Sequence, residues 1–86
     1  MAKYSVLVKK TAADELGRIP KKELLRIIER IRLLQENPRP FGWEKLSAQE
    51  RYRIRQENFR IVYSIDEDGR AVEVFNIGHR REVYRG

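Results

Sequence analysis

This 86-residue sequence contains no cysteine and a single histidine, His79. The lack of cysteine excludes disulfides, thiolate zinc sites and a cysteine nucleophile, and a lone histidine excludes acid–base catalysis by a histidine pair. No apolar run approaches the roughly 18 residues of a membrane span, and the N-terminus lacks the hydrophobic region of a signal peptide. We therefore expect one cytoplasmic domain, residues 1–86, with no metal ion, no cofactor and no membrane contact.

Lysine is missing after residue 45, although the formal net charge is +6 and the sequence pI is about 10. Such a charge favours nucleic acid, acidic protein or an anionic membrane as the partner. Arginine binds phosphate through a planar fork of donors, whereas lysine acts as a point charge. The second half is therefore predicted to bind phosphate, through the arginines at positions 51, 53, 55, 60, 70, 80, 81 and 85.

The apolar pattern predicts four strands and two helices in the order β-α-α-β-β-β. Thr11 is predicted to cap the first helix, with Asp14 and Glu15 in its first turn. Pro20 is predicted as the first residue of the second helix. The predicted segments are a strand over 3–9, a helix ending at Gly17, a helix from Pro20 to about Glu36, a loop over 37–42, a hairpin over 51–66, a turn over 66–69 and a strand over 71–77.

The hairpin concentrates arginine on one face, because side chains in a strand alternate between faces. Arg51, Arg53 and Arg55 share one side, and the apolar residues between and after them form the other. A two-residue turn at Glu57-Asn58, with a positive φ at Asn58, would set Arg55 directly opposite Arg60. Like charges in that arrangement are destabilising, which favours a functional, polyanion-binding face over an ordinary solvated one.

The C-terminal segment Gly78-His-Arg-Arg-Glu-Val-Tyr84 adds further basic groups and a tyrosine beside the hairpin. Basic side chains interleaved with an aromatic ring are typical of a single-stranded RNA site, since the ring can stack on an unpaired base. Simpler roles remain open for the individual residues. Tyr84 can pack on the sheet edge, His79 can be a plain hydrogen-bonding group, and Trp43 can cap the core or contact a partner.

These segments together resemble the RelE toxins of the RelE/ParE superfamily over essentially the whole chain. The resemblance rests on Asn37-Pro38-Arg39, Lys45-Leu46, Tyr52-Arg-Ile-Arg55, Phe59-Arg-Ile-Val-Tyr63 and the segment from Gly78 to Tyr84. It implies an α+β, microbial-ribonuclease-like fold, in which a two-helix hairpin packs on one face of an antiparallel-rich twisted sheet.

The resemblance also implies a function. RelE-like toxins of type II toxin-antitoxin systems enter the ribosomal A site, where they meet 16S rRNA, and cut the mRNA there. The 2′-hydroxyl of the RNA is the nucleophile, no metal ion takes part, and the block in translation arrests growth. A cognate antitoxin is expected to wrap over the toxin in a hetero-oligomeric complex.

Residue roles follow from the same resemblance. Arg53, Arg55, Arg60 and Arg80 correspond to the basic positions that hold the scissile phosphate, and Tyr84 corresponds to the tyrosine that stacks on or orients the cleaved nucleotide. Positive donors aimed at developing phosphorane charge are often the largest catalytic contribution. Further RNA contacts are expected from Arg51, Lys45, Arg81 and Arg85.

One departure from the family pattern concerns the proton acceptor. The best-known members carry lysines where this chain has Arg53 and Arg55, and arginine does not readily act as a general base. His79 is a candidate base, and Tyr84 is one if its pKa is lowered. A ParE-like inhibitor of DNA gyrase and an inactive nucleic-acid-binding relative are the alternative functions, and the Glu-Val-Tyr84 ending favours the nuclease.

Overall fold

The computed structural model describes residues 3–46 and 50–79. Its elements in chain order are β1 (Ser5–Val8), α1 (Lys10–Leu16), α2 (Lys21–Leu33), β2 (Glu44–Leu46), β3 (Arg51–Gln56), β4 (Phe59–Asp66) and β5 (Ala71–His79). Within these ranges no helix is long and apolar enough to cross a membrane. The predicted α+β class is confirmed, with both helices packed on one face of the sheet.

The five strands form one mixed sheet in the order β1-β5-β4-β3-β2. Strand β1 runs parallel to β5, and every other neighbouring pair is antiparallel. Strand β2 was not predicted. It is an edge strand of three residues that pairs with the start of β3, and such a short strand shows no alternating pattern in the sequence.

The core lies between the helices and one face of the sheet. In α2 the buried side chains of Ile27 and Ile31 are followed by Leu34, so that one stripe of the helix faces the sheet. Burial of such a stripe is the main source of stability for a helix in a small domain. The sheet and α1 contribute the remaining buried core residues, Ala12, Ile54, Ile61, Tyr63, Val72, Val74 and Ile77.

The start of α1 differs from the prediction. Lys9, not Thr11, is the N-cap residue, and Asp14 and Glu15 lie beyond the first turn. Lys9 still donates its backbone N–H to the carbonyl oxygen of Val74 at 2.9 Å, so the chain passes from β1 into the helix without a loop. The cap prediction was wrong because pairing with β5, which is distant in sequence, fixes where the helix begins.

Helix α2 is also shorter than predicted. Pro20 is the N-cap residue rather than the first helical residue, and the helix ends at Leu33 instead of near Glu36. The next three N–H groups bond to carbonyls three residues earlier, at 3.0–3.1 Å, which tightens the last turn. The carbonyl oxygen of Gln35 then accepts the N–H groups of residues 3 and 4 at 2.9 Å, and this ties the helix end to β1.

The loop after α2 is anchored to the sheet by aromatic side chains. The hydroxyl of Tyr63 donates to the carbonyl oxygen of Pro38 at 2.6 Å, and burial raises the pKa of Tyr63 to about 12. Trp43 packs edge-on against Tyr52, with 5.6 Å between ring centroids, while 37% of its surface stays exposed. Trp43 therefore covers the edge of the core and still presents a face to solvent.

Candidate nucleic-acid interface

The sheet face opposite the helices carries the arginines of β3. Arg51, Arg53 and Arg55 alternate along the strand with Tyr52 and Ile54, which pack in or against the core. The side chain of Arg53 is 11% exposed and that of Arg55 is 55% exposed. We call this surface, together with Arg60 of β4, the arginine face.

Arg55 and Arg60 are direct cross-strand partners, as the sequence predicts. The positive φ of the turn is at Glu57 (56°) and not at Asn58, because the first central residue of a two-residue hairpin turn needs it. Arg60 is 1% exposed and takes part in at least one further interaction, whereas Arg55 reaches solvent. The pair thus combines a buried, fixed cation with an accessible one.

A carboxylate sits within the arginine face. Oxygen Oε1 of Glu44 accepts hydrogen bonds from Nε and Nη2 of Arg53 at 3.1 and 3.0 Å, and lies 3.8 Å from Nη2 of Arg55. Glu44 is the cross-strand partner of Arg53 in the pairing of β2 with β3. It orients both guanidinium groups and neutralises part of their charge.

Sequence reasoning missed Glu44, although the signal is simple once β2 is known. An acidic residue opposite an arginine in an antiparallel pair forms a cross-strand ion pair. The three residues of β2 carry no alternation that would reveal the strand or its register.

A second cationic site on the same face is built around Phe75. The guanidinium carbon of Arg51 lies 3.7 Å from the ring centroid of Phe75, and Nζ of Lys9 lies 5.6 Å from it. Lys9 also pairs with Glu73 at 3.2 Å. These cation–π contacts hold the guanidinium group of Arg51 over the ring of Phe75.

Lys45 and His79 are not brought to the arginine face. Lys45 pairs across the strands with Tyr52, so its side chain points toward the helix side, and its Nζ lies 3.9 Å from a Glu50 carboxylate oxygen. The ring of His79 packs edge-on against Phe59, with 5.9 Å between centroids. The predicted grouping of these two residues with the arginines is therefore not found.

His79 instead lines a cavity of about 170 Å³ beside α1, together with Glu15, Arg18 and Ile19. At the wall of this cavity the carboxylate of Glu15 accepts the backbone N–H of Ile77 at 2.8 Å. Strand β1 has ended by that point, so the carboxylate supplies the partner that a strand would otherwise provide.

The remaining predicted site residues, Arg80, Arg81, Tyr84 and Arg85, lie outside the described residues. The last described residue, His79, pairs with Phe59, the residue that precedes Arg60. The chain therefore enters the predicted catalytic segment at the end of the sheet where the Arg55–Arg60 pair is found.

Comparison with known proteins agrees with this architecture. A family model described as the ParE toxin of type II toxin-antitoxin systems, parDE, matches residues 6–84. The toxin RelE of Mycobacterium tuberculosis is 32% identical over 84 residues, which cover 95% of this chain and 87% of that protein.

Two solved toxin-antitoxin complexes have the same fold. The RelE–RelB complex of the archaeon Pyrococcus horikoshii contains a chain that matches with a TM-score of 0.81 and 25% identity, over 91% of this chain and 96% of that chain. The RelBE2 complex of Mycobacterium tuberculosis matches with a TM-score of 0.81 and 23% identity, over 91% and 99%. The family match spans nearly the whole chain and the solved structures share its fold, so the chain belongs to the RelE/ParE family of toxins of type II toxin-antitoxin systems.

Proposed function

We propose that this toxin is a ribosome-dependent endoribonuclease that cuts mRNA in the A site and so stops translation in the cytoplasm. The observation that carries the proposal is the clustering of Arg53, Arg55 and Arg60 on one sheet face, with Arg55 directly opposite Arg60. Glu44 neutralises part of this positive charge, and an RNA phosphate fits the fork-shaped donors of Arg55, which is half exposed.

The proposed chemistry is transfer of the phosphate ester to the neighbouring 2′-oxygen. The 2′-hydroxyl loses its proton and attacks the adjacent phosphorus, which gives a 2′,3′-cyclic phosphate, while the 5′-oxygen of the next nucleotide leaves and takes up a proton from water. In this proposal arginine side chains, rather than a metal ion, stabilise the reacting phosphate. Arg55, with Arg80 of the C-terminal segment, stabilises the negative charge that develops on the phosphoryl oxygens, and Arg60, which is 1% exposed, adds its positive charge from within the protein. In this scheme Tyr84 stacks on or orients the nucleotide beside the cut.

Proton removal from the 2′-hydroxyl is the step for which the arginine face has no base. His79 packs against Phe59 on the helix side of the sheet, which argues against its role as the acceptor. Tyr84 is the remaining candidate, because nearby guanidinium groups lower the pKa of a phenol by favouring its ionised form.

The proposed partners follow from the relatives and from the charge. Both solved relatives described above are complexes with an antitoxin, and we propose a cognate antitoxin for this toxin in a hetero-oligomeric assembly. The net charge of +6 suits 16S rRNA and mRNA, since basic proteins approach nucleic acids by electrostatic steering.

Inhibition of DNA gyrase is the competing function, and the observation that favours it is the match to the ParE family model. A gyrase inhibitor does not need the nuclease residues. Substitution of an accessible arginine on the arginine face should therefore impair a nuclease but leave a gyrase inhibitor active.

The experiment adds purified toxin to programmed ribosomes and maps the mRNA ends. We expect Arg55→Ala to slow A-site cleavage by about 10²–10³-fold, the usual loss when one donor to the developing oxyanion is removed. Arg55 is half exposed, so the fold should be retained. The matched control is Arg32→Ala, which removes an equally exposed arginine from α2 and should leave cleavage unchanged. If the wild type made no cuts in the A site and instead inhibited DNA supercoiling by gyrase, the proposed nuclease function would be wrong and gyrase inhibition would take its place.

A further inference from the structure

A groove of about 450 Å³ begins at the arginine face and passes around the β2 edge of the sheet. Its volume falls within the range of roughly 300–1,000 Å³ that is usual for small-molecule sites. The groove is lined by Arg30, Phe41, Gly42, Trp43, Glu44 and Arg55.

The aromatic side chains of this groove are unusually open to solvent. Phe41 is 102% exposed, and Trp43, the neighbour of Gly42, is 37% exposed. Gly42 has a φ of 92°, a conformation that a side chain disfavours, and a Cβ there would meet nothing within 4 Å. The backbone therefore needs glycine for its conformation, and the space beside the two rings is left empty.

One ring packs on the core and the other projects into solvent. Trp43 packs edge-on against Tyr52, so its position is set by the core. Phe41 makes no comparable ring contact in the described part of the chain. An anchored ring beside a fully exposed one offers two faces on which a flat ligand can stack.

The charge around the rings is positive. Arg30 donates from Nη2 to the backbone carbonyl oxygen of Arg55 at 3.3 Å, which holds the Arg30 side chain at the groove wall, where the Arg55 side chain is half exposed. The one carboxylate, Glu44, directs Oε1 to Arg53 and Arg55. Two arginines and two aromatic rings match a nucleotide better than an apolar or acidic peptide segment, because each base has a face to stack and each nucleotide has a phosphate.

We infer that this groove binds an unpaired RNA base next to the phosphate held on the arginine face, with Phe41 and Trp43 stacking on the base and Arg30 and Arg55 contacting its phosphate. This inference rests on the proposed function, since Arg55 belongs to both surfaces. The bound RNA would then leave the arginine face over the β2 edge of the sheet.

The test measures binding of a short single-stranded RNA, made non-cleavable by 2′-O-methylation, by fluorescence anisotropy over a range of salt concentrations. We expect Phe41→Ala to weaken binding by about five- to a hundredfold, the usual effect of removing one stacking ring. Because no phosphate contact is lost, the slope of log K against log salt should not change. Phe41→Tyr should restore binding.

The controls separate this inference from the proposed function. Leu7→Ala removes an apolar side chain of 56% exposure at the opposite edge of the sheet and should not affect binding. Arg55→Ala should weaken binding and reduce the salt slope by about 0.7, the effect of one phosphate contact on a single strand.

Weakened binding by Phe41→Ala with an unchanged slope supports the inference. Unchanged RNA binding by Phe41→Ala, alongside a clear effect of Arg55→Ala, would overturn the groove assignment and leave the proposed function standing. If Phe41→Ala weakened only the antitoxin complex, the groove would be a protein-docking surface and the inference would again be wrong. If neither variant altered RNA binding, the arginine face would not be the RNA site and the proposed function would fail as well.

Discussion

Removal of the negative charge at Glu44 should make this toxin bind RNA more tightly while it folds less stably. Glu44 lies within hydrogen-bonding distance of Arg53 and within 3.8 Å of Arg55, so it competes with any phosphate for both groups. A unit charge about 6 Å from a bound phosphate contributes about 0.7 kcal/mol in bulk water and about 3 kcal/mol at an effective dielectric of 20. The side chain of Glu44 is 44% exposed, which places the effect near the lower figure.

We therefore expect Glu44→Gln to raise RNA affinity by about fivefold at low salt, equivalent to about 1 kcal/mol, with the gain shrinking as salt screens the charge. The ion pair joins a half-exposed carboxylate to Arg53, which is 11% exposed, so its loss should cost at least the roughly 0.2–1 kcal/mol of an exposed pair and lower the Tm by a few degrees. Fluorescence anisotropy and thermal unfolding measure the two effects. Glu29→Gln, which breaks an ion pair with Arg32 on α2, is the control. Weaker RNA binding by Glu44→Gln would refute the reasoning and show that Glu44 mainly orients the arginines.

Two further predictions concern stability. Tyr63→Phe should destabilise the fold by about 1–3 kcal/mol, because the buried carbonyl oxygen of Pro38 loses its donor, and urea unfolding measures this. The raised pKa of Tyr63 also implies that wild-type stability falls between pH 10 and about 12, as the unfolded chain ionises first, and Tyr63→Phe should lack that contribution. The pKa of Glu67 is held below 4.5 by the hydrogen bond from Tyr4 and then by the one from Arg39. A lowered pKa stabilises the fold above 4.5 and loses that effect as the pH falls through the folded value, so Glu67→Gln should flatten acid unfolding monitored by circular dichroism.

Features that depend only on neighbouring residues, such as hairpin register and the faces of strands and helices, were predicted correctly from the sequence. A two-residue turn sets the register of a hairpin, so the pairing of Arg55 with Arg60 followed from chain positions alone. The two-residue period of a strand likewise predicted that the arginines lie on one face of the sheet and that Tyr52 and Ile54 lie on the other. The buried stripe of α2 followed from the helical period.

What the sequence did not predict depends on contacts between distant segments. The edge strand β2 exists because β3 offers it a partner, and only then does Glu44 meet Arg53. The side of the sheet that His79 occupies depends on a register shift in β5 opposite Val62 and Tyr63, which leaves Phe75 without a cross-strand partner. Val74 faces the core, so Phe75 lies on the arginine face by ordinary alternation, and the extra residue then reverses the alternation so that Ile77 and His79 point to the helix side.

The parallel pairing of β1 with β5 has a consequence for how this toxin is made. Ser5 pairs with Ala71, so β1 is synthesised well before the strand with which it pairs. Pairing between strands so far apart in sequence raises the contact order and slows folding, because a long loop must close before the contacts form. During synthesis the sheet cannot be completed until β5 emerges from the exit tunnel. A nascent chain that ends before β5 therefore lacks the native five-stranded sheet, in which β5 lies between β1 and β4.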